Sequence, residues 1–77
     1  MDQAGFYVLM DEVLDLDEGT IKGDEVLEDL EWESITIVSF IALVDEEYEL
    51  VVSAEAVLEC KSIEDLYNLV VKTGQES

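Results

Sequence analysis

The sequence predicts an all-α fold, a small four-helix bundle with a long loop between the first two helices and a short third helix. In two segments, apolar residues recur at steps of three and four, which is the spacing of one helix face. Serines precede the last two segments, where they can cap helices. A chain of 77 residues suffices for one domain, and we expect a folded core at about residues 3–72 with a frayed tail beyond it.

The first predicted element is an amphipathic helix over about residues 3–14. Its apolar residues recur at helical spacing, and the acidic residues Asp11 and Glu12 lie between them. The pattern therefore predicts a core face that consists of Phe6, Leu9, Met10 and either Val13 or Leu14.

A long loop is predicted to follow, from residue 15 to residue 32. Gly19, Gly23 and Asp24 supply turn chemistry there. Trp32, at its end, can anchor the loop to the core or cover a bound group, and we favour the anchor. Loops longer than about 12 to 15 residues are uncommon unless they are functional, so the length itself indicates a function. The apolar residues expected to hold the loop against the core are Leu16, Ile21, Val26, Leu27 and Leu30.

The next segment is ambiguous, because its β-branched residues favour a strand by propensity alone. Helical spacing decides for a helix over about residues 34–48, since its apolar residues fall at Ile37, Phe40, Ile41, Val44 and Tyr48.

Two serines predict where the last two helices begin. Ser53 is the expected N-cap of a short helix at 54–58, and Ser62 that of a last helix at 63–71. Asp65 follows Ser62 at the spacing of a capping box, with aspartate where glutamate is usual.

Composition excludes several function classes. The chain has twenty-one acidic residues and three lysines, so its formal net charge is −18. This charge makes nucleic-acid binding improbable and favours basic protein partners. One cysteine and no histidine leave no internal disulfide, no Cys/His zinc site and no base to activate a cysteine nucleophile, so we expect neither a metal site nor a catalytic centre. Without a long apolar stretch or a basic signal-like start, we expect a cytoplasmic protein. We also expect a monomer.

The high charge gives a first testable prediction. Repulsion among carboxylates destabilises the compact state, and salt screens that repulsion. We therefore expect the melting temperature, followed by circular dichroism, to rise as sodium chloride is increased. A flat or falling dependence would contradict this prediction.

The residues around Ser34 resemble a known attachment site. Glu33-Ser34-Ile35 opens the apolar helix and is similar to the Asp-Ser-Leu site of acyl carrier proteins. The resemblance covers residues 6 to about 71, and includes the order of the elements, the Glu28-Asp29-Leu30 approach and the Asp45-Glu46-Glu47-Tyr48 helix end.

The resemblance implies a bundle of acyl-carrier type and a carrier rather than an enzyme. By this comparison, a phosphopantetheinyl transferase attaches 4'-phosphopantetheine from coenzyme A to Ser34, and the arm holds acyl intermediates as thioesters. The chain would be a discrete carrier of a specialised lipid or polyketide-type pathway. The residues implied to contact acyl-transferring or condensing enzymes with basic docking patches are Glu33, Ile35, Val38, Ala42, Asp45 and Glu46.

The chain departs from the family pattern in ways that carry consequences. Glu33 replaces the usual aspartate and Glu31 a common glycine, so modification could need a dedicated transferase. Thr36 and Ser39 stand where many fatty-acid carriers are acidic, which suggests docking with more apolar content. Cys60 aligns with an apolar core position, and we expect it to be buried filler.

Other interpretations stay open at this point. Ser34 could be an ordinary helix N-cap, and Ile35 and Val38 could belong to the core. The chain could be a peptidyl or aminoacyl carrier. It could also be an unmodified acidic interaction protein, such as an antitoxin or a nucleic-acid mimic.

Overall fold

The computed structural model describes residues 2–76, and these residues form four α-helices. They are α1 (Gln3–Val13), α2 (Ser34–Tyr48), α3 (Ala54–Glu59) and α4 (Ile63–Glu76), with one 3-10 turn at Leu27–Asp29. The described residues contain one isolated antiparallel bridge and no sheet. The predicted all-α four-helix bundle, with its long first loop and short third helix, is confirmed.

The helix bounds agree with the predicted ones except at the C-terminus. α2 begins and ends at the predicted residues, whereas α4 continues to Glu76 rather than ending at 71. The longer helix is stabilised because Thr73 donates its hydroxyl to the carbonyl of Leu69 at 2.8 Å, and Gly74 packs near Leu50. The predicted fraying of the tail stays a prediction, and Ser77 lies outside the described residues.

The core joins all four helices through apolar side chains. The ring of Phe6 makes edge-to-face contacts with two other rings, that of Phe40 at a centroid distance of 6.2 Å and that of Tyr67 at 5.5 Å. Such edge-to-face pairs add about 0.5–1.5 kcal/mol each to the area that they bury. The largest fully buried side chains are Phe6, Phe40, Met10, Ile63, Leu66, Val44, Val57 and Val70.

The predicted core face of α1 is confirmed, and both Val13 and Leu14 are half-buried at its end. Asp11, which was not predicted to be buried, is only 2% exposed. Its carboxylate accepts hydrogen bonds from the backbone N–H groups of Gly19 and Ile21, each at 2.8 Å. These bonds satisfy the buried charge and fix the start of the long loop against α1.

The far half of the loop is held by backbone bonds to the start of α4. Leu27 N–H donates to the carbonyl of Lys61 at 2.9 Å, and Ile63 N–H donates to that of Glu25 at 3.1 Å. These two bonds pair Val26 with Ser62 in an antiparallel bridge.

Two of the predicted loop anchors are wrong. Ile21 and Leu27 are buried and Leu30 is half-buried, but Leu16 and Val26 are exposed. The loop needs fewer apolar anchors because Asp11 and the bridge to α4 hold it by hydrogen bonds. The anchoring role of Trp32 is confirmed, since its half-buried ring packs edge-on against Phe40 at 5.7 Å.

Both predicted serine caps are confirmed. Ser53 Oγ accepts from Ala56 N–H and Ser62 Oγ from Asp65 N–H, each at 3.1 Å. The Asp65 carboxylate reaches back to Lys61 N–H at 3.0 Å, one residue before the usual position of a capping box.

Candidate functional site

The serines of this chain differ in what their hydroxyl groups do. The sequence contains five serines, of which the structure describes four. Ser53 and Ser62 are occupied as helix caps. Ser34 and Ser39 are exposed on α2, and Ser34 is the first helical residue while Ser39 lies more than a turn further on. Among the four described serines, only Ser34 therefore combines a position at a helix terminus with an exposed hydroxyl that makes no capping hydrogen bond.

Ser34 does not cap α2, so that interpretation is wrong. The N-cap is Glu33, which has extended backbone angles (φ −114°, ψ 173°), and its carbonyl accepts the first helical hydrogen bond from Ile37 N–H at 2.9 Å. Ser34 already has helical geometry, so its side chain is not placed to accept from the first turn. Within residues 2–76, its hydroxyl has no hydrogen-bond partner.

The start of α2 is suited to a negative group. The side chain of Glu33 makes no capping hydrogen bond, so the first N–H groups of α2 have no side-chain acceptor. These N–H groups and the helix dipole favour an anion such as a phosphate. Thr36 holds the approach to the helix by donating its hydroxyl to the Glu31 carbonyl at 3.0 Å. A phosphodiester on the Ser34 oxygen fits this position.

The outer face of α2 combines apolar and acidic side chains. Ile35 is 73% exposed and Val38 is 65% exposed, so the interpretation of these two residues as core is wrong. They lie on the side of the helix opposite its buried residues, because helical spacing separates the two faces. The other residues predicted for this face, all exposed, are Glu33, Ala42, Asp45 and Glu46.

A groove of about 500 Å³ lies between the long loop and the junction of α3 and α4. Val26, Leu27, Leu30 and Trp32 form its apolar walls, and the polar residues that line it are Glu28, Cys60 and Lys61. The sequence pattern did not single out Lys61, although lysine is rare enough in this chain to have been a signal.

Cys60 is half-buried in the wall of this groove rather than fully buried as expected. Its thiol donates to the Ala56 carbonyl at 3.5 Å. Burial, together with the negative charges of Asp65 and Glu59, raises the pKa of the Cys60 thiol to about 11. At neutral pH the group is therefore an uncharged thiol.

The raised pKa predicts slow alkylation of Cys60. Because only the thiolate reacts, we expect its rate with iodoacetamide at pH 8 to be about a hundredfold lower in the native chain than in the chain unfolded in urea. Mass spectrometry of timed samples measures the alkylation rate, and equal rates in the native and the unfolded chain would contradict the prediction.

The raised pKa of Cys60 should also lower the free energy of unfolding as the pH rises from about 9 to about 11, because the thiol loses its proton at a lower pH in the unfolded chain than in the native one.

Comparisons with known proteins agree with this geometry. A family model described as "Phosphopantetheine attachment site" matches residues 7–70, a range that includes Ser34 and all of α2. Searches of curated proteins and of solved structures returned no significant match. Among the residues that the structure describes, no helix has the length and apolar character needed to cross a membrane.

Proposed function

Because the chain belongs to the phosphopantetheine attachment site family, we propose that it is an acyl carrier whose 4'-phosphopantetheine arm is attached to Ser34. Members of this family are non-catalytic carriers, and 4'-phosphopantetheine is their prosthetic group. The arm supplies the thiol that holds the cargo, and the protein supplies orientation and recognition. The chain's partners are a phosphopantetheinyl transferase and acyl-handling enzymes.

The state of the Ser34 hydroxyl is the observation that carries this proposal. It is exposed at the first residue of α2 and makes no hydrogen bond to residues 2–76. Modification of Ser34 therefore removes no contact on which the fold depends, in contrast to the capping hydroxyls of Ser53 and Ser62. The N–H groups at the start of α2 stabilise the phosphate that modification introduces.

The outer face of α2 is the proposed docking surface for these enzymes. Its centre is apolar at Ile35, Val38 and Ala42, and Asp45 and Glu46 make its far end acidic. The partner enzyme that fits presents an apolar pocket flanked by lysine or arginine. Because Thr36 and Ser39 leave the middle of this surface uncharged, we assign the chain to a specialised lipid or polyketide-type pathway rather than to general fatty acid biosynthesis.

The net charge of −18 also supports a monomer. Two copies of a strongly acidic chain repel each other, whereas a basic enzyme is attracted. A monomer is therefore part of the proposal, together with the cytoplasmic location that the sequence led us to expect.

Substitution on this surface tests the docking role. We expect Ile35→Gln to raise the apparent KM of a phosphopantetheinyl transferase about fivefold or more, since an exposed apolar anchor is lost. Stability should change by no more than about 0.5 kcal/mol, because Ile35 makes little contact with the core. Val51→Gln is the matched control, since Val51 is a β-branched residue of equal exposure that lies outside α2. Equal KM values for the two variants would argue against the docking surface.

Modification in vitro tests the carrier function. Incubation with coenzyme A and a broad-specificity transferase should add the mass of one phosphopantetheine to the native chain. If no transferase modifies the folded protein, the unmodified acidic interaction protein becomes the better interpretation. The cargo found on protein purified from its native source then separates an acyl carrier from a peptidyl or aminoacyl carrier.

A further inference from the structure

Lys61 makes the groove beside Trp32 unlike the rest of this acidic surface. It is one of three cations in the whole chain, and it lines the groove together with apolar side chains. Its ammonium group has no partner among residues 2–76. Lys22, by comparison, donates its ammonium group to the Gly19 carbonyl at 3.2 Å. Lys61, which is exposed, thus brings an available positive charge to the edge of the groove.

The backbone of Lys61 is held in place from both sides. Its N–H donates to the Asp65 carboxylate at 3.0 Å, and its carbonyl accepts from Leu27 N–H at 2.9 Å. These bonds join Lys61 to the opposite wall of the groove and to the first turn of α4. The ammonium group can therefore move only within the reach of its own side chain.

The groove opens beside the start of α2. Trp32 forms part of its wall and stands two residues before Ser34, so their Cα atoms are at most about 8 Å apart. The volume of about 500 Å³ is within the range of small-molecule sites, about 300–1,000 Å³. A group carried on a flexible arm at Ser34 can reach it.

On the basis of the attachment at Ser34 proposed above, we propose that this groove binds an acyl cargo with a short apolar stem and a carboxylate at its far end. The stem contacts Leu30 and Trp32, and the carboxylate pairs with Lys61. Carboxylates lie near this groove as they do over the rest of the molecule, since Asp65 and Glu59 act on Cys60 in its wall. Lys61 is the one cationic side chain among the residues that line the groove, so an anionic cargo gains most by pairing with its ammonium group. Glu28 also lines the groove, and its carboxylate repels an anion that binds at any position distant from Lys61. The thiol of Cys60 adds no charge of its own to the wall.

The single tryptophan of the chain makes this proposal measurable. The native protein is loaded by a transferase from glutaryl-coenzyme A or from hexanoyl-coenzyme A, whose cargo is of similar length and uncharged. Intact mass confirms the loading, and the emission of Trp32 is then recorded. We expect the glutaryl form to shift Trp32 emission to shorter wavelength more than the hexanoyl form does, and to slow the alkylation of Cys60.

Two lysine variants complete the design. Lys61→Met keeps the length and the apolar stem of the side chain and should remove the difference between the two cargoes. Lys72→Met removes the same charge at an exposed position on α4, and this variant should still show the difference between the two cargoes. Equal emission from both cargoes on the loaded native protein, or equal effects of the two variants, would overturn this inference alone. Failure to load either cargo would overturn the function proposed above and this inference with it.

Discussion

Replacing Ser34 with alanine should abolish the transfer of phosphopantetheine to this chain. The Ser34 oxygen is the proposed acceptor, and an alanine side chain has no nucleophile to replace it. The free energy of unfolding should change by no more than about 0.5 kcal/mol, because the hydroxyl is exposed and makes no hydrogen bond within residues 2–76. Intact mass after incubation with coenzyme A and transferase measures the first effect, and urea denaturation measures the second.

Two other serines serve as controls for Ser34→Ala. Ser39→Ala removes the other exposed hydroxyl of α2 and should leave modification complete. Ser62→Ala removes an N-cap and should lower the free energy of unfolding by about 1 kcal/mol while modification continues. Addition of the arm to Ser34→Ala, or its loss in Ser39→Ala, would refute the assignment of the attachment site.

The substitution expected to destabilise the fold most is Gly23→Ala. Gly23 is buried and has φ of +110°, a backbone conformation that alanine adopts only with strain. A β-carbon at this position would also overlap with the hydroxyl of Tyr7 and lie 2.6 Å from its Cζ atom. Strain of about 1–3 kcal/mol and overpacking of a similar size together predict a loss of about 2–6 kcal/mol in urea denaturation.

Gly19 separates these two contributions. It also has positive φ, +92°, but a β-carbon there would meet nothing within 4 Å. Gly19→Ala should therefore show the backbone strain without the steric overlap. Tyr7→Phe removes the hydroxyl that overlaps and should restore part of the stability of Gly23→Ala. If the two glycine variants lost equal stability, the contact between Gly23 and Tyr7 would have no energetic role.

Local patterns predicted the helices well. The spacing of apolar residues in α2 overcame the strand propensity of its β-branched residues, and its bounds agree with the structure. Ser53 and Ser62 were recognised as caps because a capping serine acts on N–H groups only two or three residues away. The end of α4 was predicted too early, since contacts such as that of Gly74 near Leu50 come from distant parts of the chain.

The candidate site was predicted in part. The resemblance to acyl carriers identified Ser34 and the outer face of α2, and the family match supports the carrier. Only the structure could decide whether Ile35 and Val38 belong to a docking surface or to the core, because apolar side chains on a helix usually face a core. Only the structure could show that no side chain caps the N-terminus of α2, since a shift of one residue in the helix start decides whether Ser34 is the cap.

The amino-acid sequence by itself determined the four helices, their order and the strongly negative charge. These properties depend on composition and on spacings within a few residues, and both can be recognised from the sequence without knowledge of the tertiary structure. Only the tertiary structure decided that Asp11 is buried under the long loop and that Lys61 stands on a groove with Trp32. Both depend on segments far apart in the chain, and a polar side chain takes its role from the groups that folding brings within hydrogen-bonding or contact distance.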